Sequence, residues 1–202
     1  MSNVIVFDFD KTLTNYDTLM GFYRGLTKSS LINIIKYVLQ IMASILYKIN
    51  VINNDRLKRI GVLLFLFGKS RAEIKEYGKL YSKSITLNKI YFDEFMKYED
   101  SRLFVISASF EEYLSPIFPD GKSILIGSQI KYSKEEKVVG LKTNMYGRMK
   151  KVALAEQNID HIDILYTDSF SDKPLMEIAD VVYLVKSGKK EVIKNIRAKY
   201  DN

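Results

Sequence analysis

The chain has 202 residues, of which 47% are hydrophobic and 27% are charged, and it carries a net charge of +7. The absence of cysteine excludes disulfides, thiolate catalysis and cysteine-based metal sites, and the single histidine, His161, leaves no partner for a histidine-based metal cluster. The positive charge favours anionic partners such as phosphate esters or acidic lipid headgroups, but the basic residues are scattered, so nucleic acid is not expected as a partner.

The first predicted element is a strand over residues 4–7, VIVF, which contains no polar residue. Asp8 and Asp10 follow it directly, on either side of Phe9, and Thr12 comes next. Two carboxylates near a core repel each other and lose hydration, so the arrangement is costly unless a cation or a shared proton offsets it. This turn is therefore the first candidate for a functional site.

The next stretch of the chain is helical by its pattern of apolar residues. Helices are predicted over residues 17–26, 31–49, 54–67, 70–84 and 89–99. We predict that they form a helical cap, residues 16–98, inserted into an α/β core made of residues 1–15 and 99–202.

The segment 31–49 is the most apolar part of this insertion. Its interruptions are Asn33, Lys36, Gln40, Ser44 and Lys48. A membrane-spanning helix needs about 20 predominantly apolar residues with few charges, and Lys36 would lie well inside this one. We interpret the segment as a helix buried on most sides or as one lying against a membrane surface, and a span is less favoured. The chain begins without the pattern of a signal peptide, so we expect a cytoplasmic protein, peripheral to the membrane under the second interpretation.

Short apolar strands alternate with helices in the second half of the chain. Strands are predicted over residues 103–106, 123–126, 163–166 and 181–185, and helices over 110–118, 149–158, 173–180 and 189–200. Residues 127–147 have the pattern of a β-hairpin or an extended loop. The alternation predicts an α/β fold with a Rossmann-like parallel sheet of about five strands, flanked by helices and joined by right-handed crossovers.

Polar residues follow several of these strands at their carboxyl ends, where sites form in open parallel sheets. They are Ser107 after the second strand, Asp168, Ser169 and Asp172 after the fourth, and Lys150 and Lys151 in the helix after Gly147. Ser109 and Glu112 have the spacing of a capping box, which predicts a helix starting there with its N-terminus toward the site.

Clustered carboxylates without histidine or thiolate form an all-oxygen site that suits Mg²⁺. A hydroxyl and a lysine suit an anion. Together these groups indicate phosphoryl transfer through an aspartyl-phosphate.

Four motifs occur in order along the chain: DFDKT, VIS, a lysine, and TDSFSD. They resemble the four motifs of the haloacid dehalogenase superfamily of phosphohydrolases. The resemblance is greatest to its phosphoserine-phosphatase-like branch, which carries a helical cap inserted after the first strand. It implies a phosphoric monoester hydrolase that depends on magnesium.

The resemblance also implies roles for the acids. Asp8 would be the nucleophile that attacks phosphorus. Asp10 would protonate the leaving oxygen and then activate water, and its carbonyl would bind magnesium with Asp8 and Asp168. Thr12 would support the turn and Asp10, and Asp172 would orient a water or the lysine.

The remaining residues of the motifs would bind phosphate or support the site. Ser107 and the amide of Ala108 would hold a phosphate oxygen, and Ser169 would support the metal site. Lys150 would balance charge around the nucleophile, although the spacing of the motif allows Lys151 equally.

The substrate is open at this stage. The resemblance suggests Asp17 as the acid for a substrate amino group, and Arg24, Arg56 and Arg59 are candidate anion contacts, each of which could also be part of a solvated helix face. The motif SAS stands where a true phosphoserine phosphatase would be expected to have SGG. The substrate is therefore either a small phosphorylated metabolite or a lipid-like phosphate.

Two non-enzymatic alternatives remain open. One is a phosphoacceptor or binding module similar to a response-regulator receiver domain. The other is a catalytically silent member that acts as a partner protein or at a membrane surface. The oligomeric state is not predicted.

Overall fold

The computed structural model describes residues 3–27, 31–98, 101–118 and 121–196. These residues form a seven-stranded sheet in the order β4-β3-β2-β1-β5-β6-β7. The strands are β1 (Val4–Phe7), β2 (Arg102–Phe110), β3 (Ile124–Tyr132), β4 (Val138–Thr143), β5 (Ile162–Thr167), β6 (Ala179–Lys186) and β7 (Lys189–Asn195). The inner five strands are parallel and β4 and β7 are antiparallel edge strands. The predicted α/β fold with about five parallel strands is confirmed.

The helices lie between and around these strands. They are α1 (Leu19–Gly25), α2 (Leu31–Lys48), α3 (Asn54–Phe65), α4 (Arg71–Ser82), α5 (Lys89–Asp93), α6 (Glu111–Leu114), α7 (Arg148–Glu156) and α8 (Lys173–Met176). Helices α1 to α5 occupy the chain between β1 and β2, where the helical insertion is predicted. The domain boundaries at residues 16 and 98 stay a prediction.

The core lies on both faces of the sheet. Ile5 and Phe7 of β1 belong to one buried cluster, together with aromatic side chains such as Tyr166. Val6 points to the other face and belongs to a second cluster, which includes Leu154 of α7. A strand covered on both faces needs apolar residues at every position, which accounts for the unbroken run VIVF.

The sequence interpretation of the C-terminal segment as a helix is wrong for residues 189–195. They form β7, which pairs antiparallel with β6. Ser187 and Gly188 both have positive φ, 49° and 72°, and connect the two strands as a tight hairpin turn. Although the spacing of Val192 and Ile193 suits a helix, the turn before them returns the chain alongside β6, so these residues form a strand. The rest of that predicted helix, from residue 197, lies outside the described residues.

The hairpin predicted within residues 127–147 is present as β3 and β4. The helices predicted at 110–118 and 173–180 are shorter than expected. Helix α6 is followed by a single 3-10 turn over Ser115–Ile117, and residue 179 already belongs to β6.

The segment before α5 is bonded to the turn after β1. The amide of Asn88 donates to the carbonyl of Leu13 at 2.8 Å. Its side-chain Nδ2 donates to the carbonyls of Thr12 and Thr14 at 2.9 Å each, and Thr14 forms a β-bridge with Leu87. These bonds hold residues 87 and 88 against the turn at residues 12–14.

Helix α2 turns its polar side toward the protein and its aliphatic side outward. Gln40 and Ala43 are buried, whereas every Leu, Ile, Val and Met between residues 31 and 46 is at least 38% exposed. Only 11% of the helix is buried, so the interpretation of a helix buried on most sides is wrong. By length and a mean hydropathy of 1.3 alone, α2 is the one described helix that could cross a membrane, a criterion that core helices of soluble proteins also meet.

Candidate active site

The turn after β1 places both acids at the carboxyl edge of the sheet. The amide of Asp8 donates to the carbonyl of Tyr166 at 2.9 Å and so extends the pairing of β1 with β5. The carbonyl of Phe9 then accepts from the amides of residues 12, 13 and 14, while Lys11 adopts the left-handed φ of 58°. This compact turn fixes Asp8 and Asp10 between the ends of β2 and β5.

Lys150 lies at the centre of the site. Its Nζ donates to Asp8 Oδ1 and to Asp172 Oδ2, both at 2.8 Å, and the residue is 3% exposed. Asp172 Oδ2 also accepts from the hydroxyl of Thr167 at 2.8 Å. Lys151 is half-buried and takes no part in this cluster. The structure thus distinguishes between the two lysines that the sequence left as alternatives.

The carboxylate of Asp10 is held by residues that the sequence interpretation did not include. The amide and hydroxyl of Thr18 both donate to Oδ1 at 2.7 Å, and the Ser109 hydroxyl donates to Oδ2. The Thr12 hydroxyl, expected to support Asp10, is buried without a partner among the described residues. Thr12 supports the turn through its backbone, since its amide donates to Phe9 and its carbonyl accepts from Asn88.

The capping box predicted at Ser109 is wrong. Ser109 is still part of β2, and the residue preceding α6 is Phe110, which makes no side-chain cap. The Ser109 hydroxyl is directed to Asp10 instead. The position of Ser109, two residues after Ser107 at the end of a core strand, was the available signal for this role.

Burial disfavours the ionised form of Asp8 and Asp10. It raises the pKa of Asp8 to about 8, although the nearby Lys150 charge acts to lower it. It raises the pKa of Asp10 to about 6, against the hydrogen bonds from Ser109 and Thr18. Burial is likewise the main cause that raises the pKa of Asp168. An additional cation at this edge would offset the cost of ionising these carboxylates.

The residues present fit a magnesium ion. The carboxylates of Asp8 and Asp168 and the backbone of Asp10 are hard oxygen donors, which Mg²⁺ prefers. Asp172 Oδ1 is buried and has no hydrogen-bond partner among the described residues, so this edge retains unused acceptor capacity. Asp168 and Ser169 are half-buried and line the same cavity as Asp8.

The last residues of β2 carry groups suited to an anion. Ser107 and Ala108 line the cavity, and the amide of Ser109 donates to Ser107 Oγ at 3.0 Å. Lys58 of α3 reaches the ends of β2 and β3 from the helical insertion, donating to the Ala108 carbonyl and, at 2.9 Å, to Ser128 Oγ. Burial lowers the pKa of Lys58 to about 7.

Lys58 is a further residue that the sequence interpretation missed. It is buried on the same side of α3 as Gly61, Val62 and Phe65. Its spacing of four from Val62 and seven from Phe65 places it on the apolar stripe, and a lysine at such a position was the signal that could have identified it.

The predicted substrate contacts lie in different places. Asp17 is exposed at the rim and lines the cavity, which has a volume of about 360 Å³. Arg24 and Arg56 are exposed and outside this lining, Arg56 bordering a neighbouring depression. Arg59 pairs with Asp55 and donates to the carbonyl of Leu141. Their roles as substrate contacts stay predictions.

Comparison with known proteins identifies the family. Residues 5–177 match the family model of the haloacid dehalogenase-like hydrolases. The chain belongs to this family. The predicted haloacid dehalogenase-like hydrolase is therefore confirmed. Among curated proteins, no sequence matches the chain at a significant level.

Several solved structures resemble this haloacid dehalogenase-like hydrolase. A protein of unknown function from Bordetella pertussis Tohama I has a TM-score of 0.73 at 17% identity, over 88% of this chain and 86% of that one. A phosphoserine phosphohydrolase-like protein from Francisella tularensis has a TM-score of 0.64 at 18% identity, over 90% and 86% of the chains. A phosphoserine phosphatase, solved as a phospho-aspartyl intermediate analogue, has a TM-score of 0.55 at 18% identity, over 90% and 86%. At these identities the likeness is one of fold, and it agrees with the predicted phosphoserine-phosphatase-like branch.

Proposed function

We propose that this haloacid dehalogenase-like hydrolase is a magnesium-dependent phosphatase that cleaves a phosphate monoester through an aspartyl-phosphate on Asp8. The observation that carries the proposal is the position of Lys150, whose Nζ donates to Asp8 Oδ1 at 2.8 Å and so holds this carboxylate at the wall of the cavity. A carboxylate nucleophile next to a fixed cation suits covalent catalysis. The phospho-aspartyl analogue of the phosphoserine phosphatase with this fold supports the same assignment.

In this proposal Asp8 and Asp10 have different roles in the reaction. Asp8 would form a bond to phosphorus as the ester oxygen leaves, and Asp10 would give that oxygen a proton. Asp10 would then take a proton from the water that hydrolyses the aspartyl-phosphate. Burial raises the pKa of Asp10 to about 6, so at neutral pH a larger fraction of Asp10 is protonated than of an ordinary aspartate, and this fraction can supply the proton of the first step.

The other residues hold the phosphate and the metal. Ser107 and the amide of Ala108 would contact phosphate oxygens, which is supported by the position of both residues in the cavity lining, and Lys150 balances the charge of Asp8 and Asp172. Asp8 and Asp168, with the carbonyl of Asp10, would hold magnesium. When bound, magnesium would neutralise negative charge on the transferred phosphoryl group.

Removal of the metal tests this proposal. Hydrolysis of 4-nitrophenyl phosphate should fall to background after chelation with EDTA, and Mg²⁺ in excess should restore it. The Tm should also rise with Mg²⁺, because a cation offsets the repulsion between Asp8, Asp168 and Asp172. Equal rates with and without the chelator would contradict metal dependence, and wild-type protein without any hydrolysis in Mg²⁺ would leave a phosphoacceptor or binding role instead.

Substitution Ser109→Ala tests the assignment of Asp10 as the acid. The variant loses one of the hydrogen bonds that position the Asp10 carboxylate. We expect kcat for ethyl phosphate, whose leaving group needs a proton, to fall by about tenfold or more. The kcat for 4-nitrophenyl phosphate, whose leaving group departs unprotonated, should change much less. Ser84→Ala, which removes an exposed hydroxyl bonded to Tyr81, is the control. Equal losses for the two substrates would indicate a merely structural role of Ser109.

A further inference from the structure

The outer face of α2, defined here as its ten Leu, Ile, Val and Met residues between residues 31 and 46, is continuous and aliphatic. Successive residues of a helix are about 100° apart, so these ten fall within about half of its circumference, and no polar residue falls among them. Their exposure ranges from 38% at Leu46 to 80% at Leu31. A surface helix of a soluble domain normally shows the reverse arrangement, with its apolar stripe toward the core.

The orientation of α2 is fixed by its inward side. The Tyr37 ring packs against Phe65 of α3 at 5.1 Å, and the Tyr47 hydroxyl lies 3.2 Å from that of Tyr146. Gln40 is buried between them along the helix. Rolling the helix to hide its aliphatic side would break these contacts and expose the rings, so the outer face is a fixed feature of the surface.

The charges around α2 complement an anionic surface. Residues 18–54 contain no acidic residue and four basic ones, Arg24, Lys28, Lys36 and Lys48. By helical spacing, Lys36 and Lys48 lie just beyond the two borders of the outer face, where long side chains can extend their ammonium groups to lipid phosphates. Arg56, at the start of α3, borders the depression lined by Tyr47 and is exposed.

The composition of the outer face favours lipid over a protein partner. Protein interfaces concentrate binding energy in Trp, Tyr and Arg, and none of these falls within the half of the helix circumference that the outer face occupies. A helix with one broad apolar half and bordering lysines is typical of helices that lie in the plane of a membrane interface. A spanning orientation is disfavoured, because Gln40, Ser44 and Tyr47 of the inward side line the catalytic cavity.

We infer that the outer face of α2 docks onto an anionic membrane surface and that the catalytic site acts on an amphiphilic phosphate monoester presented there. The second half of this inference rests on the proposed phosphatase function. The helix, about 10 Å thick, separates the docking face from the cavity wall, so docking places the cavity at the level of lipid headgroups. With the phosphate at Asp8, an apolar tail can pass Leu19, Leu57 and the half-exposed Met20, which line the cavity.

Sedimentation with vesicles tests the docking. Wild-type protein should co-sediment with vesicles of phosphatidylcholine and phosphatidylglycerol, less with phosphatidylcholine alone, and less at high salt. The double variant Ile35→Gln, Met42→Gln should lose about tenfold or more in partitioning. It should keep wild-type hydrolysis of 4-nitrophenyl phosphate, since both side chains are exposed. The matched control is Leu80→Gln, Phe92→Gln, which removes two exposed apolar side chains outside α2 and should bind vesicles as wild type does.

The possible outcomes separate the claims. Active protein that does not bind anionic vesicles would overturn the docking and leave the phosphatase proposal standing. Vesicle binding by a protein inactive toward 4-nitrophenyl phosphate would overturn the phosphatase proposal and leave the docking standing. Self-association that disappears in the Ile35→Gln, Met42→Gln variant, without vesicle binding, would assign the outer face to a second copy of the chain and overturn the inference.

Chain-length dependence tests the substrate class. The kcat/KM for hexadecyl phosphate in phosphatidylcholine–phosphatidylglycerol vesicles should exceed that for soluble ethyl phosphate by about tenfold or more, because docking concentrates enzyme and substrate on one surface. The Ile35→Gln, Met42→Gln variant should lose most of this preference, whereas the control pair keeps it. Equal kcat/KM for the two esters in the wild type would overturn the assignment to an amphiphilic substrate.

Discussion

Replacement of Asp8 by Asn should reduce hydrolysis of 4-nitrophenyl phosphate by about a thousandfold or more, without unfolding the protein. The amide keeps the size of the carboxylate but cannot attack phosphorus, and loss of a covalent nucleophile removes most of an enzyme's rate enhancement. The measurement is the steady-state rate in Mg²⁺, with circular dichroism to verify the fold. Acid-quenched wild-type enzyme should carry a covalent phosphate by intact-mass spectrometry, and the variant should not.

The matched control for this substitution is Asp93→Asn. Asp93 is an exposed acid of α5 that pairs with Lys89 and does not line the cavity. Its replacement should leave the rate unchanged. Substantial activity in the Asp8→Asn protein would rule out the covalent mechanism, even if the hydrolysis remained metal-dependent.

Replacement of Lys150 by Met should cost both activity and stability. Lys150 is buried between Asp8 and Asp172, and removing the cation from a buried ion pair leaves uncompensated carboxylates at a cost of about 3–5 kcal/mol. The free energy of unfolding, measured by urea denaturation, should fall by an amount of that order. Mg²⁺ should restore part of the loss, because it supplies positive charge at the same carboxylates.

The adjacent lysine provides the control. Lys151 takes no part in the acid cluster, so Lys151→Met should change the free energy of unfolding by only about 0.5 kcal/mol and retain hydrolysis. A stability loss of the same size in both variants would mean that the Lys150 contacts with Asp8 and Asp172 contribute little.

Much of the site could be predicted because its groups belong to short segments. Asp8 and Asp10 follow β1, and Asp168 and Asp172 follow the neighbouring strand β5, so their approach is a consequence of strand order alone. Thr18 and Ser109 could not be assigned in this way. Their bonds to Asp10 depend on how the start of the helical insertion packs against the end of β2, which no local pattern specifies.

In two other segments the spacing of apolar residues did not predict the structure. The spacing of apolar residues in α2 divides the helix into two sides but does not say which side faces the protein. Packing against the core normally determines which side faces inward. In α2 the side with Tyr37, Gln40 and Tyr47 faces the protein, and the aliphatic side faces outward. In the C-terminal segment, the apolar spacing of residues 189–195 suits a helix, but the preceding Ser187–Gly188 turn returns the chain along β6 and favours a strand.

The bonds between Asn88 and the turn after β1 bear on the order in which the protein can fold. Strand β1 pairs in parallel with β2 and β5, with Val4 opposite Arg102 and Ile5 opposite Ile164, and such distant pairing is slow to form. Once Leu87 has paired with Thr14, the loop to be closed before β2 can dock is shortened to residues 5–13 and 88–101, which lowers the entropic cost of that step by about 1 kcal/mol. Asp8 is thus made early in synthesis, but its amide can bond the carbonyl of Tyr166 only after β5 has been made, so its place in the site depends on a segment more than 150 residues later in the chain.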